Sequence, residues 1–160
     1  MIVAMTSAPL RGVPILPEWP DDSPGSSRGR DERRHTILVV DDDRANLKLA
    51  RFVLEAEGFD VREAIDAVST FEVLKTCRPS LIVMDIQLPG MDGWELTRRL
   101  KTNFATRHIP VIAVTAYGVA GDRRLAETVG AVDFLEKPIS TTELPEIIRR
   151  HLGEARSGRD

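Results

Sequence analysis

Three short apolar runs, largely β-branched, punctuate the chain: Ile37-Leu38-Val39-Val40, Leu81-Ile82-Val83-Met84 and Val111-Ile112-Ala113-Val114. Each is continuous rather than alternating, the pattern of a central strand covered on both faces. Two weaker candidates, Val61-Arg62-Glu63 and Val132-Asp133-Phe134-Leu135, bring the set to five. Helical spacing fills the intervals. Leu49, Phe52, Val53 and Ala56 fall at i, i+3, i+4 and i+7 and are the expected buried face of a first helix, stopped by Gly58. Ala67, Thr70, Phe71 and Leu74 repeat the spacing ahead of Pro79, and Gly93, Leu96, Thr97 and Leu100 form a third helix. A fourth is expected near Asp122 to Val129, ending at Gly130. The fifth opens on Ser140-Thr141-Thr142-Glu143, a capping-box pattern, and is expected to bury Leu144, Ile147, Ile148 and Leu152. Pro145 conflicts with a start at Ser140, because proline beyond the first turn removes a helical hydrogen bond. Either the start moves toward Thr142 or the first turn is distorted.

Strict alternation of strand and helix predicts right-handed βαβ units and a doubly wound α/β fold, a parallel sheet with helices on both faces. Chemistry in such sheets gathers at the carboxyl ends of the strands. Composition changes this picture at the two ends of the chain. Residues 1–34 hold five of the ten prolines, five basic and five acidic residues, and no apolar period, so they read as a flexible leader. Met5 is a second candidate start. Residues 35–153 form the domain, and 154–160 a polar tail. Lys plus Arg total 22 against 25 Asp plus Glu, a net charge of −3, which disfavours a nucleic-acid binder. The single cysteine, Cys77, makes no internal disulfide and no Cys-rich zinc site, and is expected to be inert. No apolar run approaches the roughly 18–20 residues that span a bilayer, and the first residues lack the basic region of a signal peptide. A cytoplasmic protein without membrane insertion is expected.

The candidate chemistry sits where the strands stop. The first of the five strands ends in Asp41-Asp42-Asp43, the third in Asp85, the fourth in Thr115, and the fifth in Lys137-Pro138. Taken singly, such residues cap helices or make turns. Brought to one sheet edge, Asp41, Asp42 and Asp85 crowd three carboxylates beside one ammonium. Like charges at close range destabilise such a pocket, and Mg²⁺, a hard cation content with few carboxylates and several waters, relieves it. A carboxylate nucleophile, a hydroxyl, an ammonium and Mg²⁺ are a phosphoryl-transfer set. His35, His108 and His151 are too widely separated to suggest a metal site, Trp94 reads as a helix-packing residue, and Gly90 and Gly93 serve a turn.

The motifs ILVVDDD, LIVMDIQLPGMDG, VIAVTAYG and FLEKP, in this order and spacing, resemble the receiver domains of bacterial two-component response regulators. The resemblance covers residues 35–153, and single-domain CheY/DivK-like regulators match best. It implies a flavodoxin-like (βα)5 fold with strand order 2-1-3-4-5. It further implies that Asp85 accepts phosphate and that Asp42 ligates Mg²⁺ directly, with Asp41 acting through water. The carbonyl of Gln87 is implied to complete the metal site. Thr115 and Lys137 would grip the phosphoryl group, Phe134 would be the aromatic switch beside Thr115, and Lys137–Pro138 would be cis. Gln87 and Tyr117 hold the positions that tune phosphate lifetime in the family. Asp43 stands where many members have Glu, and Phe134 replaces the commoner Tyr; lacking a hydroxyl, Phe134 is expected to be set by packing alone.

The expected function is therefore a single-domain regulator rather than an enzyme, although it would assist its own phosphorylation and dephosphorylation. A histidine kinase or histidine phosphotransfer protein would phosphorylate it, and it would signal to a protein through its fourth helix, fifth strand and fifth helix. A monomer or weak dimer is expected. An aspartyl-phosphate hydrolase is disfavoured, because Gln87 occupies the position of the second Asp such enzymes need. A receiver that binds partners without phosphorylation is disfavoured by the presence of Asp85, Thr115 and Lys137. The eight residues after the fifth helix are too few for a helix-turn-helix.

Overall fold

The structure, a computed structural model, describes residues 34–116 and 120–153. The leader up to residue 33, Tyr117 and the tail at 154–160 lie outside the described residues. Ten elements alternate along the chain: β1 (Thr36–Val40), α1 (Arg44–Ala56), β2 (Asp60–Ala64), α2 (Ala67–Leu74), β3 (Leu81–Asp85), α3 (Gly93–Thr102), β4 (Val111–Thr115), α4 (Ala120–Val129), β5 (Asp133–Glu136) and α5 (Glu143–Leu152). The strands form one sheet in the order β2-β1-β3-β4-β5, every pair parallel. This is the flavodoxin-like arrangement. β3 and β4 are buried at all five positions, whereas edge strand β2 is buried only at Val61 and Ala64, which is why the central strands read as unbroken apolar runs and β2 does not.

Two cores lie on opposite faces of the sheet. Ile37, Val39, Val83, Ile112, Val114 and Leu135 pack against α1 and α5 through Leu47, Leu54, Leu144 and Ile148. Leu38, Val40, Ile82 and Met84 meet Phe71 and Leu74 of α2 and Leu96 and Leu100 of α3. α4 packs on α3 and β5. The expected faces of α2 and α3 are the observed ones, with all eight named residues buried.

The expected face of α1 is not. Leu47, Ala50 and Leu54 face the sheet, while Leu49 is 40% and Phe52 73% exposed. The helix carries an apolar stripe on each of two opposite sides, and periodicity cannot choose between them. The choice is made by the exit from β1, where Asp43 caps α1 by accepting from the Ala45 N–H at 2.8 Å. Gly58, at φ +90°, ends the helix as expected.

The conflict at Pro145 resolves by a later start. Thr142 is the cap position and Pro145 the third helical residue, where no N–H partner within the helix is required. Ser140 contributes from outside, its Oγ accepting from the Glu143 N–H at 3.1 Å. β5 likewise starts at Asp133, leaving Val132 44% exposed.

Candidate functional site

Parallel pairing in register brings the carboxyl ends of β1, β3, β4 and β5 to one edge. Asp41 follows β1, Asp85 and Thr115 are the last residues of β3 and β4, and Lys137 follows β5. Asp41, Asp85 and Thr115 are each at most 2% exposed, while Asp42 is exposed. The site residues named from the strand ends thus converge. Each of Asp41, Asp42 and Asp85 offers a carboxylate oxygen within 4.8 Å of the others. Among the described residues no other group of three or more His, Cys, Asp or Glu lies close enough to share an ion.

The hydrogen bonds are specific. Lys137 Nζ donates to Asp85 Oδ2 at 3.0 Å and stands 3.8 Å from Asp41 Oδ2. Asp85 Oδ1 accepts from the Gln87 backbone N–H at 3.0 Å. Asp41 Oδ1 accepts from the Asp43 N–H at 2.8 Å, and its Oδ2 from the Asn46 side-chain amide at 3.1 Å. Burial pushes the Asp41 carboxyl up from its ordinary value of 3.8 to about 6; the charge of Asp85 adds to this, against the Asp43 N–H, Lys137 and Asn46. One ammonium does not balance three carboxylates. Their hard oxygen donors are the set a divalent cation such as Mg²⁺ takes.

The backbone around the pocket is equally constrained. The Lys137 N–H donates to the Thr115 carbonyl at 2.7 Å, and the Lys137–Pro138 bond is cis. The loop after Asp85 folds back on itself, the Gly93 N–H meeting the Ile86 carbonyl at 2.9 Å. Gly90 makes the turn at φ +78°, but Gly93 does something else. A Cβ there would lie 2.2 Å from the Asp85 carbonyl oxygen and 2.7 Å from Ile86 Cα. α3 can begin directly against the end of β3 only because residue 93 has no side chain.

Three contributions escaped the sequence reading: this close approach at Gly93, the Asn46 amide on Asp41, and a contact at Phe134. The Phe134 ring is half-buried, opposite Ala113 in the register, and the Arg123 guanidinium of α4 lies 5.0 Å from its centroid. Packing alone does not hold this ring; a cation–π contact contributes. The sequence signal for Asn46 was its place in the turn of helix that follows Asp41. Arg123 had none, since α4 meets β5 only through the tertiary fold. Of the remaining residues, Trp94 is half-buried and burial raises the Cys77 thiol pKa, in keeping with an unreactive thiol. Each histidine contacts a different side chain: Ser80 for His35, Arg78 for His108 and Asp133 for His151.

The family model for the response regulator receiver domain matches residues 37–149. The polar-differentiation response regulator DivK of Brucella anthropi is 38% identical over 120 residues, spanning 75% of this chain and 98% of that protein. DivK of Brucella ovis shows the same identity and coverage. Among solved structures, a CheY-like response regulator receiver domain protein from Methanospirillum hungatei superposes with a TM-score of 0.70 at 30% identity, covering 76% of this chain and 96% of that one. The receiver domain of sensor histidine kinase PA1611 from Pseudomonas aeruginosa, solved with a magnesium ion coordinated in its active-site cleft, superposes with a TM-score of 0.69 at 31% identity. That match covers 76% of this chain and 99% of the other.

Proposed function

The chain belongs to the response regulator receiver domain family, and from that premise we propose that Asp85 is its phosphoryl acceptor, with Asp41, Asp42, Asp85 and the Gln87 carbonyl holding Mg²⁺. Receivers of this family act in two-component signalling with histidine kinases and downstream targets, and bind Mg²⁺ at an acidic cluster. One observation carries the assignment to Asp85. It is the buried carboxylate that Lys137 bonds, at the strand end between those bearing Asp41 and Thr115.

Mg²⁺, when bound, offsets the carboxylates and neutralises oxygens of the transferring group. The chain's own groups do the rest. An Asp85 oxygen attacks phosphorus while the P–N bond of a phosphohistidine donor breaks, and the leaving imidazole keeps the electron pair and takes up a proton. The Lys137 ammonium and the Thr115 hydroxyl donate to the new phosphoryl oxygens. Attack of water on the same phosphorus breaks the Asp85 O–P bond and regenerates the carboxylate, so the chain assists both its phosphorylation and its dephosphorylation.

The output runs from Thr115 to Phe134. Thr115 moving toward the phosphoryl group opens space beside Ala113, and the Phe134 ring can fill it. The face so altered, α4–β5–α5, is the proposed contact with a downstream protein. Among the described residues no helix is long and apolar enough to cross a membrane. A cytoplasmic setting, where histidine kinases present their phosphohistidine, fits this reading.

The test is incorporation from acetyl phosphate, read by intact mass with and without EDTA. One phosphoryl group is expected on the wild type with Mg²⁺, and none on Asp85→Ala or in EDTA. Label on Asp85→Ala, or label undiminished by EDTA, overturns the assignment.

A further inference from the structure

Asp41, like Asp85, accepts a hydrogen bond at each of its carboxylate oxygens. Its Oδ1 is held by the Asp43 backbone, and its Oδ2 accepts from the Asn46 amide at 3.1 Å while Lys137 Nζ stands at 3.8 Å from the same oxygen. Asn46 is the third residue of α1 and half-buried, so its side chain is placed by a helix that Asp43 caps. Lys137, in contrast, hydrogen-bonds Asp85 at 3.0 Å. Two carboxylates thus compete for one ammonium, and the neutral amide on Asp41 biases the outcome.

Resting on the reading of this pocket as a Mg²⁺ site, we infer that Asn46 is a positioning residue, aiming the Asp41 carboxylate at the cation and keeping it from closing on Lys137. The chemistry favours an amide. It donates a hydrogen bond yet adds no positive charge, so the pocket keeps its attraction for a cation. An ionised carboxylate has about four lone-pair sites, and two accepted bonds leave the others open to a cation or its water. Without the Asn46 donor, the Lys137 ammonium, 3.8 Å away, is a donor ready to take Oδ2. Closing that gap to hydrogen-bond distance pairs Asp41 with Lys137 and draws the lysine off Asp85. The pocket then loses a free carboxylate and the phosphoryl acceptor loses its cationic partner. Outer groups that orient metal ligands typically set affinity by about 10–100-fold.

The experiment is a MgCl₂ titration of the full chain, followed by the amide NMR shifts of Asp85 and Gln87, in wild type, Asn46→Ala and Asn46→Gln. Thermal melts of each variant confirm folding. Asn46→Ala is expected to weaken Mg²⁺ binding by roughly tenfold or more, while Asn46→Gln, which keeps a donor amide, stays within about threefold of wild type. Affinity within twofold of wild type in Asn46→Ala overturns the inference. Equal weakening in both variants also overturns it, because the effect then follows the shape of α1 rather than the donated bond. Wild type that binds no Mg²⁺ brings down the underlying reading of the pocket instead, so the two failures are distinct.

Discussion

Replacing Gly93 by alanine puts one methyl group where the backbone leaves no room. The new Cβ would sit 2.2 Å from the Asp85 carbonyl oxygen and 2.9 Å from the Asp85 carbonyl carbon, whereas ordinary contact begins at 3.4 Å. The obstructing atoms are backbone, so no rotamer change relieves them. The start of α3 and the end of β3 must separate by about 1 Å, as follows from the difference between those distances. Overpacking of this kind costs about 1–3 kcal/mol. The Gly93 N–H bond to Ile86, 2.9 Å long, is lost or weakened, at about 1 kcal/mol more. Against this stand the lower entropy of the unfolded alanine chain and its better helix propensity, together about 1 kcal/mol at a first-turn position. The net loss is about 1–3 kcal/mol, or roughly 4–12 °C in Tm for a domain of this size. The same displacement moves Asp85 and its Gln87 partner, and a misplacement of about 1 Å is able to cost on the order of 100-fold in rate. Thermal melts by circular dichroism and the initial rate of labelling by acetyl phosphate read both effects. Gly90→Ala is the control: its φ of +78° makes alanine costly there, but nothing lies within 4 Å of its Cβ. It is expected to lose stability while the folded protein keeps its labelling rate. A Gly93→Ala protein that melts within 2 °C of wild type and labels at the wild-type rate refutes the close-approach argument.

Three further outcomes are expected. Burial holds the folded-state pKa of Asp41 near 6, above its ordinary 3.8, so ionising it destabilises the metal-free fold as pH rises through that interval. Asp41→Asn in EDTA should match wild type near pH 4 and exceed it by on the order of 2–3 kcal/mol at pH 7 in urea unfolding; a difference independent of pH contradicts this. Leu54→Ala should cost about 2–5 kcal/mol and Phe52→Ser about 0.5 kcal/mol or less, and the reverse order would return α1 to the face suggested by its periodicity. Arg123→Ala removes the cation–π contact, worth about 0.5–1 kcal/mol, and should move the Phe134 ring resonances of the unphosphorylated protein toward their positions with beryllofluoride bound; unmoved resonances exclude a holding role for Arg123.

The order of the elements, the parallel sheet and the polar residues at its carboxyl edge were all legible in the linear pattern. Local rules suffice for them. A strand covered on both faces must be apolar throughout, and helices alternating with such strands admit essentially one hand of crossover. Asp41, Asp42, Asp85, Thr115 and Lys137 could be named because each ends a strand, and motif resemblance tied them to one chemistry.

What stayed illegible depends on rotation and distance, which a one-dimensional pattern does not contain. α1 has two apolar stripes, and only its exit from β1 sets Leu54 inward and Phe52 outward. The start of α5 was ambiguous until the chain after Pro138 placed Thr142 at the cap. Gly93 looks like any turn glycine in sequence, yet the packing of α3 on β3 makes it a contact surface. Arg123 and Phe134 are eleven residues apart on different elements, and nothing local links them. The sequence by itself determined which groups are available and at which end of the sheet they gather. Tertiary structure decided which of them touch, because contacts a few ångströms long arise from helix rotation and strand register summed over the whole fold.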